Sequence, residues 1–240
     1  MITIKTNKEP KLIKPTFHID GKLHDKLDET DIGALMNKHN FSLFLGRAGS
    51  GKSTLAISFL KSKPMFKNVF HQVLLFCPPN SRGSINGDFW GKHLEEHEIY
   101  DELNLENLQE AYDIAQANRD EGLKTLIVMD DVQKQLKGDC EKLLLHMVSN
   151  RRHASLSIWL LCQNYITIPR QVRQGLTDLF VFKCGKNEQN NLLNEQLEIS
   201  HEVFEKLQQM LFKKAHEFLY INSLTGRIFQ NWNELIIENN

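Results

Sequence analysis

The run Gly46-Arg47-Ala48-Gly49-Ser50-Gly51-Lys52-Ser53 constrains this chain more than any other segment of it. It satisfies G-x-x-x-x-G-K-[ST] in the context that pattern requires: the apolar run Phe41 to Leu45 before it, and a helix opening Thr54-Leu55-Ala56-Ile57 after it. The residue types follow from the task of holding a polyphosphate. Gly46, Gly49 and Gly51 can adopt backbone conformations closed to other residues, so successive N–H groups can turn inward onto phosphate oxygens. The following helix aims its unpaired N–H groups, and the positive end of its dipole, at the same anion. Lys52 places a charge on the β- and γ-phosphates, and Ser53 offers a hydroxyl to Mg²⁺. ATP with Mg²⁺ is therefore the expected ligand, held by Gly46 through Thr54. A tight turn that binds nothing is the alternative, and the flanking strand and helix argue against it.

Around this loop, apolar strands and amphipathic helices alternate, which is the pattern of a parallel sheet covered on both faces. Strands are expected over 41–45, 72–77, 125–129, 156–162 and 179–182. Helices are expected from about Lys52 to Lys61, over Leu105 to Ala117 and over Cys140 to Val148. A long irregular stretch with Gly83, Gly87 and Gly91 lies between the second strand and the second of these helices. Two polar-faced helices, roughly 188–196 and 200–211, precede Phe218 to Ile221 and Arg227 to Gln230, which read as a hairpin around Ser223 to Gly226. Residues 1 to about 40 differ: they are lysine-rich, carry Pro10 and Pro15, and read as an extended arm plus a short helix over Asp31 to Lys38, with Asp31 as N-cap.

The third and fourth strands carry the other candidate groups. Leu126-Ile127-Val128-Met129 ends in Asp130-Asp131, and strand C-termini of a parallel sheet face the ligand crevice. Asp130 suits Mg²⁺, which prefers oxygen ligands and keeps several waters. Asp131 is then placed to orient and polarise an attacking water. A solvated acidic loop or a helix cap is the alternative. Leu156 to Cys162 ends in Gln163, whose neutral amide can touch the γ-phosphate or the attacking water, or can be a surface loop residue. Arg151-Arg152-His153 precedes that strand. These cations either complement a helix C-terminus or supply an arginine finger to a neighbouring subunit, with Arg152 the first candidate and Arg170 and Arg173 its rivals.

Composition narrows the classes. At 240 residues with 41% apolar and 25% charged residues, the chain can bury one α/β core of ordinary composition. A formal net charge of -1 excludes coating of nucleic acid by bulk electrostatics but not a local basic lining. Cys77, Cys140, Cys162 and Cys184 are far apart, which points to reduced thiols and not to a disulfide framework or zinc site. Met1 to Lys5 lacks the apolar core of a secretory signal, and no stretch approaches the roughly 20 apolar residues of a membrane span. A soluble, intracellular protein is the expectation.

Three blocks together carry a resemblance: Phe44 to Ser53, Val128-Met129-Asp130-Asp131-Val132, and Asn150-Arg151-Arg152-His153 through to Cys162-Gln163. Over about residues 40 to 190 the chain resembles the FtsK/HerA superfamily of DNA-pumping ATPases, and most closely the poxvirus-type genome-packaging ATPases of large DNA viruses and virophages. The resemblance implies sheet order 5-1-4-3-2, a Mg²⁺-associated Asp130, a catalytic carboxylate at Asp131, a sensor at Gln163 and a trans finger at Arg152 within a hexameric or pentameric ring. Much of that superfamily uses Glu where Asp131 stands, one methylene longer. The implied function is an ATP-driven motor that moves double-stranded DNA into a capsid, with capsid or portal proteins as partners and the host cytoplasm or virion as its place of action. DNA contacts are then mainly to phosphates, and Lys134 and Lys137, after the acidic pair, are candidates to face the pore or are solvated surface lysines. A small-molecule kinase and a nucleotide-binding assembly scaffold are the other classes. Consecutive acids and the lack of an arginine-rich lid disfavour the kinase, and the absence of D-x-x-G and N-K-x-D disfavours a GTP switch.

Overall fold

The computed structural model describes residues 2–5, 36, 39–63, 65–82, 89–197 and 201–237. In chain order the elements are β1 (Ile2–Lys5), β2 (Phe41–Leu45), α1 (Lys52–Lys61), β3 (Gln72–Phe76), α2 (Pro79–Arg82), α3 (Phe89–His93), β4 (Ile99–Tyr100) and α4 (Leu105–Asp120). They continue with β5 (Thr125–Asp130), α5 (Asp139–Asn150), β6 (Leu156–Cys162), α6 (Arg170–Arg173), β7 (Asp178–Phe182), α7 (Lys186–Gln196) and α8 (His201–Met210). The last three are β8 (Phe218–Asn222), β9 (Arg227–Gln230) and β10 (Asn233–Ile237).

Among the described residues all ten strands form one sheet, in the order β1-β10-β9-β8-β7-β2-β6-β5-β3-β4. From β7 to β4 every pairing is parallel, and from β7 out to β1 every pairing is antiparallel. Numbered by sequence, the five main parallel strands run 5-1-4-3-2, the order the family resemblance implied. The expected hairpin is β8–β9. The adjoining β10 (Asn233-Glu234-Leu235-Ile236-Ile237), and the two-residue β4 (Ile99-Tyr100) within the stretch read as irregular, are too short to show the period of a strand in the sequence. The start of the expected arm is β1, paired with β10. The short helix expected over Asp31 to Lys38 lies, Met36 apart, outside the described residues.

The strands alternate their side chains between two cores, as a period of two requires. One face collects Phe41, Leu43 and Leu45 of β2, Ile127 and Met129 of β5, and Leu156, Ile158 and Leu160 of β6. Against it lie Leu108, Ala111, Tyr112 and Ala115 of α4, with Leu144, Met147 and Val148 of α5. The other face collects Phe44, Val128, Trp159, Leu161 and Phe180 beneath Ala56, Ile57, Phe59 and Leu60 of α1. Because both faces are covered, the central strands read as continuous apolar runs and not as alternating ones. α4 starts where the Asn104 side chain accepts the Asn107 N–H at 2.8 Å, an N-cap bond.

The antiparallel extension is joined to the parallel core by an aromatic ladder across four strands. Phe44 stacks on Phe180 at 4.8 Å, Phe180 on Tyr220 at 4.7 Å, and Tyr220 on Phe229 at 5.4 Å between ring centroids. Each step is a cross-strand register pair of β2–β7, β7–β8 or β8–β9, the arrangement in which aromatic pairs contribute most to a sheet.

At the opposite end of β7 a carboxylate is buried. Asp178 is 1% exposed and accepts hydrogen bonds from the Tyr220 hydroxyl and the Thr177 hydroxyl, each at 2.7 Å. Burial outweighs these bonds and pushes the carboxyl from 3.8 up to about 6. A raised folded-state pKa means the folded protein binds the extra proton. This contribution to stability is therefore complete below about pH 4 and lost as pH rises through 6. Asp130, described below, adds a slope of the same sign, so the difference between variant and wild type is the informative quantity. Denaturant unfolding of Asp178→Asn from pH 4.5 to 7 should show the variant gaining on wild type as pH rises, by about 1–3 kcal/mol over the window. Parallel pH curves would show that Asp178 does not titrate there.

Candidate active site

The phosphate loop lies between β2 and α1, and its conformation depends on its glycines. Gly49 and Gly51 sit at φ 72° and 110°, a region open to glycine at little cost. Gly46 is needed for a different reason. A Cβ there would lie 2.5 Å from Ser50 Oγ and 2.7 Å from Phe182 Cβ, so the loop closes on itself only over a bare Cα. Lys52 is 6% exposed, and its ammonium donates to the Gly46 and Arg47 carbonyls at 2.9 and 3.2 Å, which keeps its charge at the loop. Arg47, Ala48 and Gly49 form the exposed tip, and Thr54 is exposed on the first turn of α1.

The acids and the amide are brought to this loop by neighbouring strand ends. Gly46 N–H donates to the Cys162 carbonyl at 3.1 Å, and Asp131 N–H donates to the Leu161 carbonyl at 3.0 Å. The end of β6 thus fixes the loop's entry on one side and Asp131 on the other. Ser53 Oγ donates to Asp130 Oδ2 at 3.0 Å. Gln163 Nε2 faces both Asp131 oxygens, at 3.3 and 3.4 Å. Asp131 takes the left-handed conformation at φ 57°, unusual outside glycine although Asp and Asn tolerate it best. Lys52, Ser53, Asp130, Asp131 and Gln163 therefore share one end of the sheet.

Electrostatics separate the two acids. Asp130 is 4% exposed, and burial first, then the adjacent Asp131 carboxylate, push it up to about 6, against the pull of the Ser53 hydroxyl and the Lys52 ammonium. A dry carboxylate beside a hydroxyl is unfavourable alone and suits a cation that prefers oxygen ligands. Among the described residues no group of three or more His, Cys, Asp or Glu could hold a metal ion. Ser53 and Asp130 fit Mg²⁺ of the sort that completes its shell with phosphates and water instead of an all-protein cage.

The arginines are not alike. Arg151 is tied down, donating to the His39 carbonyl at 2.9 Å and the Val148 carbonyl at 2.6 Å. Arg173 is 9% exposed, paired to Glu195 at 3.1 Å and laid over the Tyr165 ring at 4.6 Å, so it holds α6 against α7 and is not free to act on a neighbour. Arg152 and Arg170 are exposed. Arg152 lies before β6, at the opposite end of the sheet from the phosphate loop, and its side chain has no hydrogen bond or ion pair among the described residues. Lys134 and Lys137 are exposed on the turn that follows Asp131.

Two contacts at the loop had no signal in the sequence. Phe182, at the end of β7, backs Gly46, and His216 Nδ1 lies 3.1 Å from the Ser50 carbonyl oxygen. An apolar strand end and a histidine in a polar loop look like many others, and only the β7–β8 pairing brings the second to the phosphate loop.

The poxvirus A32 protein family matches residues 31–233. The chain belongs to that family. Among curated relatives, the DNA packaging protein OPG160 of Variola virus is 27% identical over 154 residues, covering 62% of this chain and 54% of the relative. The OPG160 protein of Monkeypox virus is 28% identical over the same length, with 49% of it covered. The chain thus spans about half the length of the curated relatives it matches. Among solved structures, B204, the DNA-packaging ATPase of Sulfolobus turreted icosahedral virus, superposes with a TM-score of 0.60 at 15% identity, over 83% of this chain and 98% of B204. The genome packaging NTPase B204 of Sulfolobus turreted icosahedral virus 2, solved with ATP-gammaS, gives 0.58 at 17% identity, over 82% and 98%. The cytoplasmic domain of the Type VII secretion ATPase EccC of Thermomonospora curvata gives 0.54 at 15%, over 84% of this chain and 26% of EccC. At these identities the structures share the fold with this A32-family chain, an α/β sheet of the P-loop ATPase type.

The steric reading of Gly46 yields a prediction. Gly46→Ala should lower stability by about 1–3 kcal/mol, as overpacking does, and weaken binding of a fluorescent ATP analogue at least tenfold. Gly185→Ala, where an added Cβ meets nothing within 4 Å, should leave affinity unchanged and lower stability by no more than about 1 kcal/mol, the cost of an alanine as N-cap of α7. Wild-type affinity in Gly46→Ala would show that the loop does not need the close approach.

Proposed function

We infer that this chain is an ATP-hydrolysing motor that acts on double-stranded DNA during viral genome packaging. The observation that carries this reading is the convergence of Lys52, Ser53, Asp130, Asp131 and Gln163 at the end of β2, β5 and β6. Membership of the A32 family and relatives named DNA packaging proteins support the DNA substrate.

The residues divide the chemistry. The backbone N–H groups of the loop and the Lys52 ammonium bind and orient the triphosphate, with Thr54 on the first turn of α1. Ser53 and Asp130 would hold Mg²⁺, which when bound neutralises charge on the β- and γ-phosphates. Asp131 orients and polarises the attacking water. The Gln163 amide, already on Asp131, can shift its donor from the carboxylate to the γ-phosphate or the water, and so sense which is present. Asp131 has a shorter reach than Glu, and its left-handed backbone redirects the side chain towards Gln163.

Arg152 completes the site from a neighbour. It and Gln163 flank opposite ends of β6, a separation of roughly 20 Å for a strand of this length, beyond the span of an arginine side chain. Its exposed position leaves it for a partner copy, which requires a ring or at least a dimer. Lys134 and Lys137 follow the water-orienting acid, a position from which hydrolysis can be felt by phosphates in a central pore. Capsid or portal proteins complete the machine, and the host cell, where viral genomes are packaged, is its place of action.

Complementation tests the shared site. Arg152→Ala and Asp131→Asn should each bind ATP yet lose turnover, the arginine variant by roughly 10³-fold or more. Mixed in equal amounts they should recover up to about one-quarter of wild-type turnover, because about that fraction of interfaces pairs an intact finger with an intact site. Mixed oligomers with no recovered turnover, or full activity in Arg152→Ala alone, would overturn the assignment of Arg152 and pass the role to Arg170.

A further inference from the structure

The second face of the phosphate loop, away from the triphosphate, is held by the antiparallel extension. β8 starts at Phe218, which is in register with Phe182 at the end of β7. The two rings pack at 5.6 Å, and Phe218 N–H donates to Asn231 Oδ1 at 3.1 Å. The chain entering β8 is turned by Lys214 N–H donating to Glu217 Oε2 at 3.0 Å. Between them His216 stands at φ 63°, in the left-handed region that, glycine apart, Asn, Asp and His enter most often. That conformation still costs about 1 kcal/mol, which contacts of the folded chain must offset. For an exposed residue the visible gain is its contact with the loop. Nδ1 lies 3.1 Å from the Ser50 carbonyl oxygen, and a Cβ on Gly51 would be 3.4 Å from the same nitrogen and 3.3 Å from Phe182 Cε1.

A carbonyl oxygen only accepts, so the ring carries its proton on Nδ1 in this contact. The Ser50–Gly51 peptide is planar and trans, so its C=O and N–H point in opposite directions. Anchoring the Ser50 oxygen outward, on the extension, therefore turns the Gly51 N–H inward, to the concave side of the loop. No backbone carbonyl takes that N–H among the described residues, and it is one of the donors a β-phosphate needs.

We propose that His216 is a positioning residue for the phosphate loop: its Nδ1–H fastens the Ser50 carbonyl to the antiparallel extension, and the rigid peptide then aims the Gly51 N–H at the β-phosphate of ATP. This rests on the reading of the loop as an ATP site. It assigns the extension a part in nucleotide affinity, because the β7–β8 register places His216 and the aromatic ladder holds that register. His216 touches neither substrate nor the attacking water. Its loss acts on binding and leaves Asp131 and Gln163 as they are.

The test uses the full chain with equilibrium binding of a fluorescent ATP analogue, steady-state hydrolysis and thermal melting. His216→Gly keeps the left-handed backbone without strain but removes the donor. Its melting temperature should equal or exceed wild type, while Kd and KM rise roughly 3- to 10-fold, the worth of one hydrogen bond, at unchanged kcat. His216→Asn tolerates the same backbone and returns an N–H donor, and should restore Kd and KM to within about twofold of wild type. Equal affinity of His216→Gly and His216→Asn, whether both match wild type or both are weakened, overturns the role of the donor. A fall in kcat without a change in KM also overturns it. Lys52→Ala separates the two levels of the argument. If it loses ATP binding while His216→Gly matches wild type, the ATP site stands and the His216 inference alone falls. If Lys52→Ala binds ATP like wild type, the reading of the loop falls and takes this inference with it.

Discussion

The end of β6 sets the geometry on which the site depends. Its last two carbonyls, Leu161 and Cys162, accept the N–H groups of Asp131 and Gly46, and the next residue is Gln163. One strand terminus therefore spaces the phosphate loop, the Asp131 carboxylate and the Gln163 amide against each other. This works only because β6 lies between β2 and β5 with all three strands parallel. Moving β6 elsewhere in the sheet would separate groups that no side chain could bridge. The requirement for that order is met by burial: β2, β5 and β6 are covered on both faces, and strands of that kind belong in the interior of a parallel sheet.

The same placement carries an energetic cost. Asp130 and Asp131 are consecutive, and the first is buried beside Ser53 and Lys52. Two adjacent carboxylates with one desolvated are unfavourable until opposite charge arrives. A protein tuned for stability alone would place an amide or an apolar residue there. Asp178, at the far end of the parallel strands, is the structural counterpart. It too is buried with a raised pKa, but Thr177 and Tyr220 satisfy it from within the fold. Asp130 has one such hydroxyl, that of Ser53, and a second carboxylate beside it where Asp178 has a second hydroxyl.

Much of this was legible in the sequence because the signals were local. The phosphate loop announces itself by spacing, the strand runs by unbroken apolar residues, and Asp130, Asp131 and Gln163 by standing where such runs end. The strand order was not in the periodicity and came with the family resemblance. What stayed hidden depends on long-range pairing. The difference between Arg151 and Arg152 lies in which of two adjacent guanidinium groups meets the His39 and Val148 carbonyls. Arg173 could not be set aside until Glu195 and Tyr165 were seen around it. His216 reaches Ser50 across 166 positions of sequence, through a register that only the folded sheet displays. β4 was missed because two residues are too few to show any periodicity, and β10 because it gains its place only by pairing with β9 on one side and β1 on the other.

The central claim is that hydrolysis at this site is coupled to duplex DNA, and steady-state ATP turnover of the full chain titrated with double-stranded DNA tests it most directly. Duplexes of several unrelated sequences and a range of salt concentrations should be used, with Lys52→Ala as the control. Turnover that rises with duplex concentration, equally for every sequence, and whose stimulation falls steeply as salt increases is the expected result, since contacts to phosphates are sequence-independent and release counterions. Wild-type turnover that is the same with and without duplex DNA at every salt concentration would contradict a DNA motor and favour a scaffold that merely binds nucleotide.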